Sequence, residues 1–246
     1  MSNSDVPPLA RRLLAEFLGS GVLVAIVVGS GIAAQRLSPN DVGLQLLQNS
    51  LATVFGLAVL ILVLGPVSGA HFNPVVSIAD WHFGRRSRSG LTGSGVAVYS
   101  IVQVAGGIAG AVLANLMFEV PIALSTRDRM SVAHLLAEVV ATSGLLIVIF
   151  ALVRTGRANL VAPAVGAYIG CAYWFTSSTS FANPAVTIGR VFSDTFAGID
   201  PTSSLAFVAA QLVGLVIGVV LIHALWPTAN QLPAPTPINL EHAESD

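Results

Sequence analysis

The sequence predicts an all-α membrane protein, with six transmembrane helices and two re-entrant half-helices arranged as an inverted repeat. Three observations lead there. Of 246 residues, 54% are hydrophobic and 9% charged, and the mean hydropathy is +0.80; an ordinary soluble domain carries about a quarter charged residues. Six apolar stretches each approach the roughly 20 residues that a spanning helix needs. Finally, a small set of polar residues recurs in the same order in both halves of the chain.

The composition also excludes. Too few polar side chains are present to coat a water-facing surface, so a disordered chain, a nucleic-acid binder and a cytosolic enzyme all fit poorly. The formal net charge is −1 and all eleven basic residues are arginines, so the total charge names no partner. The single cysteine, Cys171, rules out an internal disulfide and a multi-thiolate metal site. No nucleophile–base pair or metal cluster emerges, so no enzyme activity, cofactor or metal is expected.

The apolar stretches run over about 9–34, 44–64, 91–118, 131–153, 159–179 and 202–226. Runs such as Val22–Val28 and Leu57–Leu64 do not alternate, which argues for helices over the strands of a closed barrel. Arg11 and Arg12 ahead of the first run allow a signal-peptide reading. That run is longer than a usual signal core, Glu16 interrupts it, and the repeat needs it to stay. With six spans the termini share a side. Seven arginines fall on that side against four on the other, which makes both termini cytoplasmic by the positive-inside rule. Residues 1–8 form a short tail, and the Pro-rich polar segment 227–246 reads as a disordered cytoplasmic one.

The halves, about 9–118 and 131–226, match in order. Glu16 pairs with Glu138, Asn73-Pro74-Val75 with Asn183-Pro184-Ala185, and Gln103 with Gln211, at offsets of 122, 110 and 108 residues. Three spans per half oblige the second copy to cross in the opposite sense, an inverted repeat of the kind channels and transporters use. The segments 65–90 and 180–200 are half apolar and too short to span. Asparagine caps helices and proline suits the first helical position, so short helices are expected at about 74–83 and 184–192. Ten residues rise about 15 Å, half the hydrocarbon thickness. Two such helices entering from opposite faces would meet N-terminus to N-terminus at the midplane. The stretches before them, Gly65–Phe72 and Thr176–Ala182, would then offer carbonyls along a pore. The competing reading lays both loops on the surface as interfacial helices. Gly106-x-x-x-Gly110 and Gly214-x-x-x-Gly218 fit close helix contacts.

Ser68-Gly69-Ala70-His71-Phe72-Asn73-Pro74 and Phe181-Ala182-Asn183-Pro184-Ala185 resemble the paired signatures of the aquaporin/aquaglyceroporin (major intrinsic protein) family, and Glu16, Glu138, Gln103 and Gln211 sit where that family has Glu and Gln. The resemblance covers about residues 9–226. It implies a six-helix bundle with a pore in each subunit, a homotetramer, and passive flow of water or small uncharged solutes across a cell membrane, here a bacterial inner membrane. It also implies a selectivity filter at Thr53, Cys171, Ser180 and Val186, the first two by counting back from the Asn-Pro motifs. The chain departs from the pattern with Val75 in the first motif and with Val186 where the family usually has an arginine. The valine resembles a bacterial branch often associated with arsenic-resistance genes. A ring of small, uncharged residues implies passage of solutes larger than water, such as glycerol, urea or arsenite. A water-selective channel, a secondary transporter and a non-conducting scaffold are the competing readings.

The amides of Asn73 and Asn183 would donate to a passing oxygen while the half-helix ends supply positive potential. Glu16 and Glu138 are expected to accept hydrogen bonds from the re-entrant backbone and brace it, with snorkelling as the plainer alternative. His71 is expected to be packed nearby at the cytoplasmic vestibule. Arg190 lies one helical turn beyond Val186, where it supplies the missing filter charge, pairs with a nearby acid such as Asp194, or reaches the outer headgroups.

Overall fold

A computed structural model describes residues 7–85, 87 and 89–227. The expected disordered tail and most of the short N-terminal tail lie outside the described residues. Among the described residues, helices α1 (Leu9–Leu37), α2 (Val42–Ser68), α3 (Pro74–Gly84) and α4 (Gly93–Met117) form the first half. Helices α5 (Val132–Arg154), α6 (Val161–Phe175, preceded by a 3-10 turn at Ala158–Leu160), α7 (Pro184–Arg190) and α8 (Pro201–Leu225) form the second. Six of these are long and apolar enough to cross a membrane.

Local chemistry sets the helix starts. The side chains of Asp41, Thr92, Ser131 and Asp200 each accept a backbone N–H from the first turn they cap, and Pro201 fills the first position of α8. At the far end of α2, Gly69 takes φ +91°, which ends the helix and turns the chain inward. Several expected boundaries shift, and the second span runs on to Ser68 instead of ending at 64. The fifth span ends at Phe175 instead of 179, because Thr176 is already extended and the chain there is re-entering the bundle. The second half-helix stops at Arg190, two residues early.

The bundle closes through missing side chains. A Cβ at Gly106 would lie 2.3 Å from the Phe17 carbonyl oxygen, and one at Gly110 only 2.0 Å from that of Gly21, so α4 rests backbone to backbone on α1. Of the repeat-related pair, Gly214 behaves alike, a Cβ there coming within 2.7 Å of the Val139 carbonyl as α8 packs on α5, while one at Gly218 would meet its nearest atoms at 3.3 Å. Gly107 and Gly189 let α7 lie equally close to α4, a Cβ at Gly107 falling 2.6 Å from the Ala185 carbonyl. Large apolar side chains point outward instead, among them Phe55, Val59 and Val63 on α2 and Val216 and Val220 on α8. That inside-out distribution suits a lipid environment.

Candidate functional site: a cavity crossed by two half-helices

Proline at the first position and asparagine before it start both half-helices. Asn73 Oδ1 accepts the Val75 N–H at 3.0 Å, and Asn183 Oδ1 accepts those of Ala185 and Val186 at 2.9 and 3.3 Å. Each amide nitrogen reaches across the repeat. Asn73 Nδ2 donates to the Ala182 carbonyl and Asn183 Nδ2 to the Phe72 carbonyl, both at 2.8 Å. The two half-helices are thus tied tip to tip, and the surface-helix reading of these loops fails. Each amide has a second N–H without a partner among the described residues, and both asparagines line one cavity of about 570 Å³.

That cavity follows α2 from Thr53 to Pro66, roughly 20 Å at 1.5 Å per residue. The end near Pro66 and Val153 lies toward the face where α1 starts and α8 ends; the end near Thr53 and Tyr173 lies toward the opposite one. Gly69, Ala70, His71 and Phe72 line it, so the non-helical stretch begins at Gly69 and not, as expected, at Gly65, which is still helical.

Glu16 and Glu138 are both fully buried, which excludes snorkelling. Glu16 accepts the Ser68 hydroxyl at 2.6 Å, the N–H groups of His71 and Phe72 at 3.0 and 2.7 Å, and the Gln103 amide at 2.8 Å. Glu138 repeats the set with Ser178 at 2.7 Å, Phe181 and Ala182 at 2.8 and 2.9 Å, and Gln211 at 2.7 Å. The glutamines extend the brace to the half-helices through Ser77 and Thr187. Such support is needed because Ala70, Phe72, Thr179, Ser180 and Ala182 all adopt positive φ, between 48° and 62°, a conformation that strains L side chains by about 1–2 kcal/mol each. His71 joins the bracing through its backbone, while its Nδ1 lies 3.1 Å from the Ser77 hydroxyl.

Of the expected filter residues, Thr53, Ser180 and Val186 line the cavity and Cys171 does not. Cys171 is exposed on the outer side of α6. Tyr173, two residues further on, lines the cavity instead, its hydroxyl 3.1 Å from that of Thr53. Two residues of helix turn through about 200°, so a register error of two moves a side chain from the pore to the outside. The ring is also not free of charge. Arg190 lines the cavity at 3% exposure, its guanidinium over the Phe181 ring at 3.4 Å from the centroid and its Nε bonded to the Ala197 carbonyl. The expected partner, Asp194, instead accepts from Thr126 and Ser125. Arg129 lies over the same ring at 5.3 Å and donates to the carbonyls of Gly198 and Phe196 at 2.7 and 3.0 Å. Burial, together with the guanidiniums of Arg190 and Arg127, pushes Arg129 down to about 9. Arg129 carried no signal as a site residue, and Phe181 only as part of the second Asn-Pro signature, since only the folded loops bring them to Arg190.

The model of the family described as "Major intrinsic protein" matches residues 3–182. The chain belongs to this family. Among relatives it is similar to aquaglyceroporin AqpS of Rhizobium meliloti (strain 1021), with 48% identity over 91% of this chain and 94% of the relative. The glycerol uptake facilitator protein of Pseudomonas aeruginosa is 31% identical over 80% of this chain and 79% of its own length. Aquaporin Z of Brucella melitensis is also 31% identical, over 87% of this chain and 96% of its own. The solved aquaglyceroporin of Plasmodium falciparum shares the fold, with a TM-score of 0.62 and 23% identity over 88% of this chain and 96% of that one. The match of the major intrinsic protein model ends one residue before Asn183. The second Asn-Pro motif lies beyond that match, inside the 91% of the chain aligned with the Rhizobium relative, and is tied to the first by the reciprocal amide bonds.

Proposed function

We propose that this major intrinsic protein is a passive membrane channel for small uncharged solutes, namely glycerol-like polyols, urea and metalloid hydroxides such as arsenite, and for water. The observation that carries the proposal is the pair of Asn73 and Asn183 amides at the tips of two opposed half-helices inside one cavity. Each helix N-terminus acts roughly as half an elementary positive charge. Two of them aimed at one point raise the energy of a cation or a migrating proton there, while a neutral dipole turns and passes. The spare amide N–H groups supply hydrogen bonds that replace part of the solute's hydration. The Rhizobium relative is named an aquaglyceroporin and the Pseudomonas one a glycerol uptake facilitator, which supports polyol passage. The arginine count supports cytoplasmic termini, the membrane is read as a bacterial inner one on the strength of the bacterial relatives, and the outward apolar faces accommodate lipid and the neighbouring subunits of a homotetramer.

A water-selective channel is the second reading. The observation that favours it is Tyr173 and Arg190 at the end where only small uncharged groups were expected. Stopped-flow measurements on proteoliposomes with water, glycerol, urea and arsenite separate the two. Glycerol flux well above that of protein-free vesicles, linear in its gradient, is the expected result; water flux alone selects the second reading. Flux that saturates at low solute or follows a proton or sodium gradient overturns both.

A further inference from the structure

A carboxylate, that of Asp80, stands on the cavity wall at the end away from Tyr173. Asp80 is the seventh residue after Asn73, and the seventh after Asn183 is Arg190, so the inverted repeat puts opposite charges at equivalent positions of α3 and α7. At 1.5 Å per residue it lies about 10 Å along α3 from the tip at Asn73. This part of α3 meets the end of α8, His82 lying against His223, which places Asp80 toward the face where α1 starts. Its Oδ2 accepts the Leu91 N–H at 2.7 Å. Gly90 lets the chain pack against it, since a Cβ there would lie 2.5 Å from the Asp80 carbonyl oxygen and 3.1 Å from Oδ2. Oδ1 makes no hydrogen bond to any described residue. Glu16 and Glu138, by contrast, stand behind the re-entrant loops with four donors each. A carboxylate has about four acceptor sites, so most of those on Asp80 remain open to the cavity. An ionisable side chain held inside a membrane-spanning bundle is costly, and it marks a solute path.

We propose that Asp80 is a hydrogen-bond-accepting entry site for neutral polyhydroxyl solutes, at the mouth on the face where α1 starts. The inference rests on the channel reading and adds to it a specificity-determining residue. The asparagine amides at the tips offer donors to a passing oxygen, but a hydroxyl also brings a proton that needs an acceptor. Oδ1 of Asp80 meets that need before the solute reaches the tips. Hydrogen bonds to an ionised acceptor are about twice as strong as those between neutral groups. A polyol sheds more hydration than water does on entering, so it gains more from such a bond. The Leu91 N–H holds the carboxylate in place, which keeps the free oxygen available without a further ordering cost.

The test compares wild type, Asp80→Asn, Asp80→Glu and Asp80→Ser in proteoliposomes, reading water and glycerol flux by light scattering. Asp80→Asn keeps the shape and an acceptor for Leu91 but drops the charge. It is expected to lower the ratio of glycerol to water flux about three- to fivefold. Asp80→Glu keeps the charge at the cost of the shape, and is expected to retain more of that ratio than Asp80→Asn. A residue that only anchored Leu91 would give the reverse order, because asparagine is the closer match in size. If Asp80→Asn does not fold, Asp80→Ser, with a small hydroxyl facing Leu91, takes its place in both comparisons. A wild type that passes neither water nor glycerol sinks the channel reading itself. In a conducting protein, a ratio unmoved by loss of the charge, or one that falls as far in Asp80→Glu as in the neutral variant, overturns the entry site.

Discussion

Glu138 satisfies four donors at once, two of them backbone N–H groups next to residues held at positive φ. Removing the carboxylate leaves those donors buried without an acceptor, at about 1–3 kcal/mol each, and releases the strain it restrains. Glu138→Ala is therefore expected to lower the melting temperature in detergent by many degrees and to abolish flux. Glu138→Gln, which keeps one acceptor oxygen, is expected to fall between. A melting temperature unchanged in both would show that the loop holds its own shape. Cys171 poses the opposite case, since it is the only cysteine and stands outside the cavity. Labelling it with an organomercurial is expected to leave glycerol and water flux as they were. The same reagent on Ser180→Cys is expected to block, because Ser180 lines the cavity. A block in the wild type would put Cys171 back on the pore.

Between elements, the decisive contacts are those with no side chain on one partner. Leucine at position 110 would have its Cβ 2.0 Å from a carbonyl oxygen of α1, and neither backbone can retreat without opening the bundle. Gly110→Leu is expected to abolish folding, read as loss of a monodisperse peak in detergent. Gly93→Ala meets nothing within 4 Å at the start of α4 and is expected to be neutral or slightly stabilising. This contact was legible in advance because a glycine spacing of four is a property of one helix face. The half-helices were legible for a similar reason: Asn-Pro carries its own cap and its own first turn, and it was right at both sites. The bracing glutamates were legible because a buried charge in lipid demands partners. The pore ring was read less well. Ser180 and Val186 follow from the adjacent motif, but Cys171 was reached by counting across the strained segment 176–182, whose path no local propensity sets. Arg190 and Phe181 meet only after that segment and α7 have packed, so their stacking is a tertiary fact with no sequence pattern of its own.

Across the whole molecule, the two halves depend on each other most directly where Asn73 and Asn183 exchange hydrogen bonds. Each asparagine does two things: its oxygen caps its own half-helix, and its nitrogen holds the carbonyl that precedes the other asparagine. A substitution at one site therefore frees an orphaned carbonyl in the other half, beside a residue at positive φ. If the halves were independent, the stability losses from Asn73→Ala and Asn183→Ala would add. Reciprocal bonding predicts otherwise: the first loss already loosens the partner loop, so the double variant is expected to lose less than the sum, by about 0.5–3 kcal/mol. Thermal unfolding of the four proteins in one detergent gives this coupling. Both single variants are also expected to pass more protons, since each tilts a half-helix end away from the shared point where their potentials add. Strict additivity in stability, with proton flux as low as in the wild type, would mean that the tips are held by their own loops and that the inverted repeat is a shape without mechanical coupling.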